Sequence, residues 1–337
     1  MSKDGQYREQ RARPAFAVWL AVAAIACGLS TQAVAQDPPQ KFPTRSVKLI
    51  VNFPAGSGTA DSVARALGEY LTQKWGQPVT VDNIPGATGI VGAEAAYRAE
   101  PDGYTLLVTP AGALTVAQHL QKLTYDPTAF VPISLLSTSP IVLVASPHFK
   151  PKDLPELIAY GRANPGKLSA ANHGVGSSSH LAAEWLRSAA DLKVMHVPFR
   201  GSTAALQGLG DGRVDILFDN LGSSLEPVRN RQVKALAVAS DKPEPLLPGV
   251  PTIAGTLPGF VTSSWIAVVA PPKTPEPLVK WLSAEFADAL RQPQIVRTLA
   301  DLACEPVGSG PEATRAFIQN ESERWRKVIR EAKIGPE

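Results

Sequence analysis

The sequence predicts an α/β protein of two lobes, each a mostly parallel sheet flanked by helices. Three observations lead there. Segments with strand and helix patterning alternate from Val47 onward, the rhythm of β-α-β units. Two loops rich in glycine and hydroxyl residues each follow an apolar strand-like run and open a helix-like one. Beyond an amino-terminal segment of 35 residues, about 300 remain, which is enough for two cores of ordinary domain size.

The first 35 residues read as an export signal. Lys3, Arg8, Arg11 and Arg13 make a basic start, Ala15 to Leu29 is a run of apolar and small residues, and Ala33-Val34-Ala35 offers a cleavage site. The run is too short for a membrane-spanning helix. Ala24-Ile25-Ala26 is a poor lipobox before Cys27, and Ala12 breaks the arginine pair a twin-arginine signal needs. Of the 2 cysteines, Cys27 leaves with the signal, so Cys304 has no partner for an intrachain disulfide. Four basic and two acidic residues leave with it as well, taking the net charge of +3 to about +1. With 7% aromatic residues and no basic-aromatic cluster, the composition argues against nucleic-acid partners.

The elements follow in order. Val47–Val51 is a buried strand, and Asp61–Trp75 a helix with Val63, Leu67, Tyr70, Leu71 and Trp75 on one stripe, ended by Gly76-Gln77-Pro78. Val79–Val81 is a strand, Asn83–Gly89 a turn, Ile90–Ala99 a helix, and Tyr104–Val108 a strand after Pro101-Asp102-Gly103. Ile141–Ala145 starts the second lobe. The helix Leu154–Ala163, the strands Leu168–Ala171 and Val194–Val197, a short helix from Thr203, and the strands Asp215–Phe218 and Ala235–Ala239 complete it. Trp265–Val269 returns the chain to the first lobe, and helices over 275–290, 293–300 and 311–332 close it. The divisions are 36–138 with 264–337 for one lobe and 139–263 for the other.

The two glycine loops carry the chemistry. In the first, Gly56 and Gly58 permit tight turns and close approach, Ser57 and Thr59 supply hydroxyls, and Asp61 lies in the first helical turn. The second, Asn172 to His180, contains Gly174, Gly176, Ser177, Ser178 and Ser179. A glycine-rich helix start exposes backbone N–H groups at the positive end of the helix dipole, and so suits an anion. Asp61 is unfavourable to a bare anion, which leaves it a structural or water-holding role. Each loop also has an ordinary reading as a capped connection.

Other motifs fail on inspection. Gly161 to Lys167 mimics a phosphate-binding loop, but Leu168 replaces the magnesium-binding hydroxyl and the helix precedes the loop. No Gly-x-Ser-x-Gly elbow and no Gly-x-Gly-x-x-Gly fingerprint occurs. The serines, His173 or His180, and Asp215 or Asp219 allow a triad on paper, but no spacing selects one. His180 and Glu184 have a metal-ligand spacing with no third ligand nearby in sequence, so neither a metal nor a cofactor is expected.

An ordered set of short motifs resembles the tripartite tricarboxylate transporter solute receptors, the TctC or Bug family. These are Phe42-Pro43-Thr44-Arg45, Phe53-Pro54-Ala55-Gly56, Asp82 to Ala87, Pro101 to Leu106, Tyr125-Asp126-Pro127, the second glycine loop with His180-Leu181, Val197-Pro198-Phe199 with Gly201-Ser202, and Val214-Asp215 with Phe218-Asp219. The resemblance implies a periplasmic two-lobed binding protein fold, with hinge crossings near Ser137–Ile141 and Val261–Trp265. It also implies a monomer that captures a small carboxylate between the lobes and delivers it to the membrane permease subunits of a tripartite tricarboxylate-type transporter. It implies no catalysis. A sensor on the same scaffold is the alternative, and a secreted hydrolase a more distant one. Taken with the loops, the resemblance nominates Phe53, Ala55, Gly56, Ser57, Gly58, Thr59, Asp61, Thr109, Ala111, Gly174, Gly176, Ser177, Ser178, Ser179, His180, Arg200, Phe218 and Asp219 as ligand-binding. Phe53, Ala111 and Phe218, if they line the pocket, favour a longer or aromatic acid over citrate. Ile84, Thr109 to Ala113 and Gln118-His119 depart from the family pattern.

Overall fold

The computed structural model describes residues 42–56 and 58–334. The export signal, Cys27 and Ser57 lie outside the described residues. Strands β1 (Val47–Val51), β2 (Val79–Asn83) and β3 (Thr105–Pro110) alternate with helices α1 (Thr59–Trp75) and α2 (Ile90–Tyr97). A π-turn over Gly112–Val116 leads into the short α3 (Ala117–Leu120). After β4 (Val131–Ala145) come α4 (Leu154–Ala163), β5 (Leu168–Asn172), α5 (Ser178–Ala189), β6 (Val194–Pro198), α6 (Ser202–Gly210), β7 (Ile216–Asn220), α7 (Leu221–Arg229) and β8 (Lys234–Val238). The chain ends with β9 (Ser263–Ala270), α8 (Glu276–Ala289), α9 (Pro293–Asp301), β10 (Glu305–Pro306) and α10 (Pro311–Glu331).

The strands form one curled sheet in the order β2-β1-β3-β9-β4-β7-β5-β6, with β8 and β10 both paired to β4. Parallel pairing holds within β2-β1-β3 and within β7-β5-β6, the β-α-β segments. Antiparallel pairing enters through β9 and β4, which join the two sections. The first ten residues of β4, Val131 to Pro140, pair with β9, and the last five, Ile141 to Ala145, pair with β7 and β8. Only that last stretch is legible as a strand in the sequence. Pro132, Pro140 and a run of hydroxyl residues mask the rest, and the register with β9 shifts twice along it.

Each section is covered on both faces. Val47, Leu49 and Val51 of β1 alternate toward α1 and α8, packing Leu67, Leu71, Leu282 and Phe286 into one core. Ile50, Leu107, Trp265 and Phe130 build the core on the opposite face. In the second section Leu143, Ala170, Ile216 and Phe218 pack beneath α4 and α5, while Val142, Val144 and Leu217 pack beneath α6 and α7. A fifth cluster crosses between the sections. Val116 and the α10 residues Trp325, Val328 and Ile329 meet Leu181 and Trp185 of α5, and Arg187 donates to the Ala332 carbonyl. The carboxy-terminal helix therefore packs on the second section as well as on the first. Among the described residues no helix is long and apolar enough to cross a membrane, and Cys304 is buried and free, its thiol pushed up to about 11 by burial.

Candidate functional site: a cavity at the carboxyl ends of the parallel strands

In an open α/β sheet, ligands sit beyond the carboxyl ends of the parallel strands, where the βα loops gather. Here that position holds a cavity of about 470 Å³, within the usual range for small-molecule sites. The β1–α1 loop contributes Phe53, Gly58, Thr59 and Asp61, and the β5–α5 loop contributes His173, Gly176, Ser177 and Ser178. The two glycine loops thus share one gap, and Thr88 Oγ1 donates across it to the Val175 carbonyl at 3.5 Å.

Two more helices open onto the same cavity. Gly201 and Ser202 begin α6, Asn220 precedes α7, and all three residues line the wall. Four helix amino termini therefore converge. Among the described residues no side chain caps the first amides of α1, α6 and α7, whereas at α5 Ser177 Oγ accepts the His180 N–H at 3.3 Å. Uncapped N–H groups at the positive ends of helices are donors aimed at an acceptor. The rest of the wall is largely apolar: Val116, Leu181, Phe199, Trp265, Ile266 and Trp325, with Ser263 and Ser264 beside them. The indole Nε1 of Trp325, in a residue only 2% exposed, has no hydrogen-bond partner among the described residues.

The acidic residue nearest this site is committed to structure. Asp61 is buried and accepts from Gly56 N at 2.8 Å, Asn83 Nδ2 at 2.8 Å and Arg65 Nε at 2.9 Å. Burial opposes its charge, but the Arg65 guanidinium, the Asn83 amide and the Gly56 N–H together hold its carboxyl below the usual aspartate value. Asp61 thereby ties the first loop to the start of its own helix. Asp219 sits behind the wall, fully buried, accepting from Ser202 Oγ at 2.6 Å and Ser224 Oγ at 3.0 Å. Its Oδ1 is 3.6 Å from His173 Nε2. Burial raises the Asp219 carboxyl and lowers the His173 imidazole, so both favour a neutral pair. The Asp219–His173 pair then adds little negative charge behind the wall, Arg65 balances the ionised Asp61, and Arg200 adds an exposed guanidinium at the cavity edge.

Of the nominated residues, Phe53, Gly58, Thr59, Asp61, Ala111, Gly176, Ser177, Ser178 and Arg200 line the cavity. Ala55, Gly56, Gly174 and Ser179 belong to the same loops but lie off its wall: Ser179 Oγ accepts the His173 N–H, and Gly56 is bound to Asp61. Thr109 is buried in β3 and donates to the Pro110 carbonyl. Phe218 is a core residue, not a wall residue. It is fully buried and stacks on Phe260, because its side chain packs into the core beneath α4 and α5. His180 also faces away from the cavity, its Nδ1 accepting the Gly176 N–H at 3.3 Å; burial and neighbouring His196 press its pKa to about 4. Sequence reasoning missed the walls from β9 and α10. Apolar residues there read as core, and no local signal marks Trp325 as facing a cavity.

A family model described as "Tripartite tricarboxylate transporter family receptor" matches residues 63–334. The chain belongs to this receptor family. Among solved structures, it is similar to the R. palustris protein Rpa4515, solved with adipate: 31% identity over 88% of this chain and 100% of that one, TM-score 0.81. It is also similar to MatC (Rpa3494) from Rhodopseudomonas palustris, solved with bound malate: 36% identity over 86% of this chain and 100% of that one, TM-score 0.77. The periplasmic binding protein BugD shares 32% identity over 88% of this chain and 100% of its own, TM-score 0.78. The α/β fold of this TctC receptor is accordingly the two-lobed one of periplasmic binding proteins.

Proposed function

We propose that this receptor captures a small carboxylate in the cavity between the two glycine loops and delivers it, outside the cytoplasm, to the membrane subunits of a tripartite tricarboxylate-type transporter. The observation that carries this reading is the convergence of four helix amino termini, three of them without a side-chain cap, on one cavity. Each such terminus favours an anion by about 1 kcal/mol when partly buried. Charge-assisted bonds from their amides and hydroxyls add about 1.5–3 kcal/mol each. Micromolar affinity needs about 8 kcal/mol in all, so neutral donors suffice without a dedicated arginine. The bound adipate and malate of two relatives fit the same chemistry.

The apolar wall sharpens the ligand class. Val116, Leu181, Phe199, Trp265 and Trp325 suit a hydrocarbon stretch better than a third carboxylate. The expected ligand is an acid with an extended aliphatic or aromatic body. Segments 36–138 and 264–337 would form one lobe and 139–263 the other, with β4 and β9 as the crossings and closure bringing the loops together.

A thermal-shift screen of the mature chain tests this. Acetate, benzoate, malate, adipate and citrate are compared with adipamide, which has the shape of adipate without its charge. Adipate or benzoate should raise the melting temperature by several degrees and adipamide should not. Stabilisation by no acid, or turnover of ester substrates in its place, would overturn the proposal.

A further inference from the structure

Behind the second loop, His180 and Glu184 stand one turn apart on α5, and the β5–β6 register sets His196 beside Ala170 beneath them. The three side chains place one donor atom each within 4.8 Å of one another. His180 and Glu184 are each only 7% exposed. The two imidazoles meet edge to face with centroids 4.9 Å apart. Glu184 Oε2 accepts from Arg187 Nε at 2.7 Å, which leaves Oε1 facing His196 Nε2 at 2.5 Å. That approach pairs His196 Nε2 with Glu184, while the equally buried His196 Nδ1 has no hydrogen-bond partner among the described residues. Buried polar atoms are nearly always satisfied, so an imidazole paired to a buried carboxylate, facing a second imidazole and with its Nδ1 unpartnered, needs an explanation.

We propose that His180, Glu184 and His196 form a binding site for a divalent transition-metal ion of the zinc type. Two imidazole nitrogens and one carboxylate oxygen are a borderline donor set that suits Zn²⁺, Co²⁺ or Ni²⁺, whereas Mg²⁺ and Ca²⁺ require oxygen ligands. In a tetrahedral zinc site, ligand atoms about 2.1 Å from the metal lie about 3.4 Å from one another. The present spread of up to 4.8 Å closes by rotation of the Glu184 and His196 side chains, with solvent as the fourth ligand. The metal takes the place of the proton between His196 and Glu184, which passes to solvent. Arg187 keeps its bond to Oε2 and orients the ligating carboxylate from outside. Ligation through either nitrogen of His180 gives up the long bond from Gly176. The interior placement, beneath a helix and away from the cavity, fits a structural ion that pins α5 to β6.

The test uses tag-free mature chain stripped of metal, with no carboxylate present, so its result is independent of the proposed transport role. Titration with Co²⁺ should develop the intense visible bands of four-coordinate cobalt and saturate at one equivalent per chain. Added Zn²⁺ should abolish the bands, and excess Mg²⁺ or Ca²⁺ should leave them. His196→Ala and Glu184→Gln should lose the stoichiometric uptake, while His148→Ala, outside the cluster, keeps it. If either cluster variant fails to fold, X-ray absorption of the cobalt-loaded wild type reads the ligands directly, and two imidazoles with one carboxylate are expected. No saturable Co²⁺ uptake by the wild type, equal uptake by His196→Ala, or a different ligand set overturns the site.

Discussion

Ser178→Asp separates anion binding from folding. Ser178 is the first residue of α5 and lines the cavity, and its hydroxyl takes no part in any hydrogen bond among the described residues. Aspartate in a first helical turn is favourable to the dipole by about 0.3–1 kcal/mol, so the fold loses nothing. The bound carboxylate, however, meets a like charge. At about 5 Å, with an effective dielectric near 20, the repulsion is about 3 kcal/mol, or about 200-fold in affinity. Ser178→Ala removes at most one neutral hydrogen bond and should cost about 1 kcal/mol, roughly fivefold. Isothermal titration with the acid that gives the largest thermal shift measures both variants, and a melting curve measures the fold. If Ser178→Asp melts at or above the wild-type temperature and still binds within a few fold of wild type, the carboxylate does not sit at the α5 terminus.

Three further outcomes follow from the same geometry. Asp61→Asn places an amide N–H among three donors, and should cost about 2–3 kcal/mol of stability in denaturant melts. Because the Asp61 carboxyl is held below its unfolded value, its contribution is full above about pH 4 and is lost as pH falls through the folded value. The gap between wild type and variant should therefore narrow in acid; a gap that widens there contradicts the assignment. Trp325→Phe removes an N–H that has no partner among the described residues, so stability should change little, while affinity for an acid long enough to reach α10 falls about tenfold; equal affinity in titration means the indole does not donate to the ligand. Phe218→Ala empties a site stacked on Phe260 in the core and should cost about 3–5 kcal/mol, with the relative ranking of acids unchanged; a reordered ranking would return Phe218 to the ligand.

The alternation of elements and the two glycine loops are written locally, and so could be read directly. Val47, Leu49, Ile50 and Val51 are apolar because β1 is covered on both faces, with only Lys48 reaching solvent, and the glycine and hydroxyl residues at 56–59 and 174–179 mark the two longest helix starts at the cavity. The ten hidden residues of β4 were not legible, since proline and serine there are tolerated only because β9 supplies a bulged partner from far along the chain. At the third terminus the sequence shows only a short helix from Thr203, and it does not mark α7 at all; the convergence of these two termini depends on β5, β6 and β7 lying side by side. His196 similarly joins His180 and Glu184 through sheet register, which no spacing in the chain encodes. By itself the sequence determined most of the strands and helices, and where the two glycine loops expose backbone donors, because both follow from local periodicity and glycine geometry. The tertiary structure alone decided which donors share a cavity and which aromatic residues wall it, because burial of a side chain depends on what packs against it.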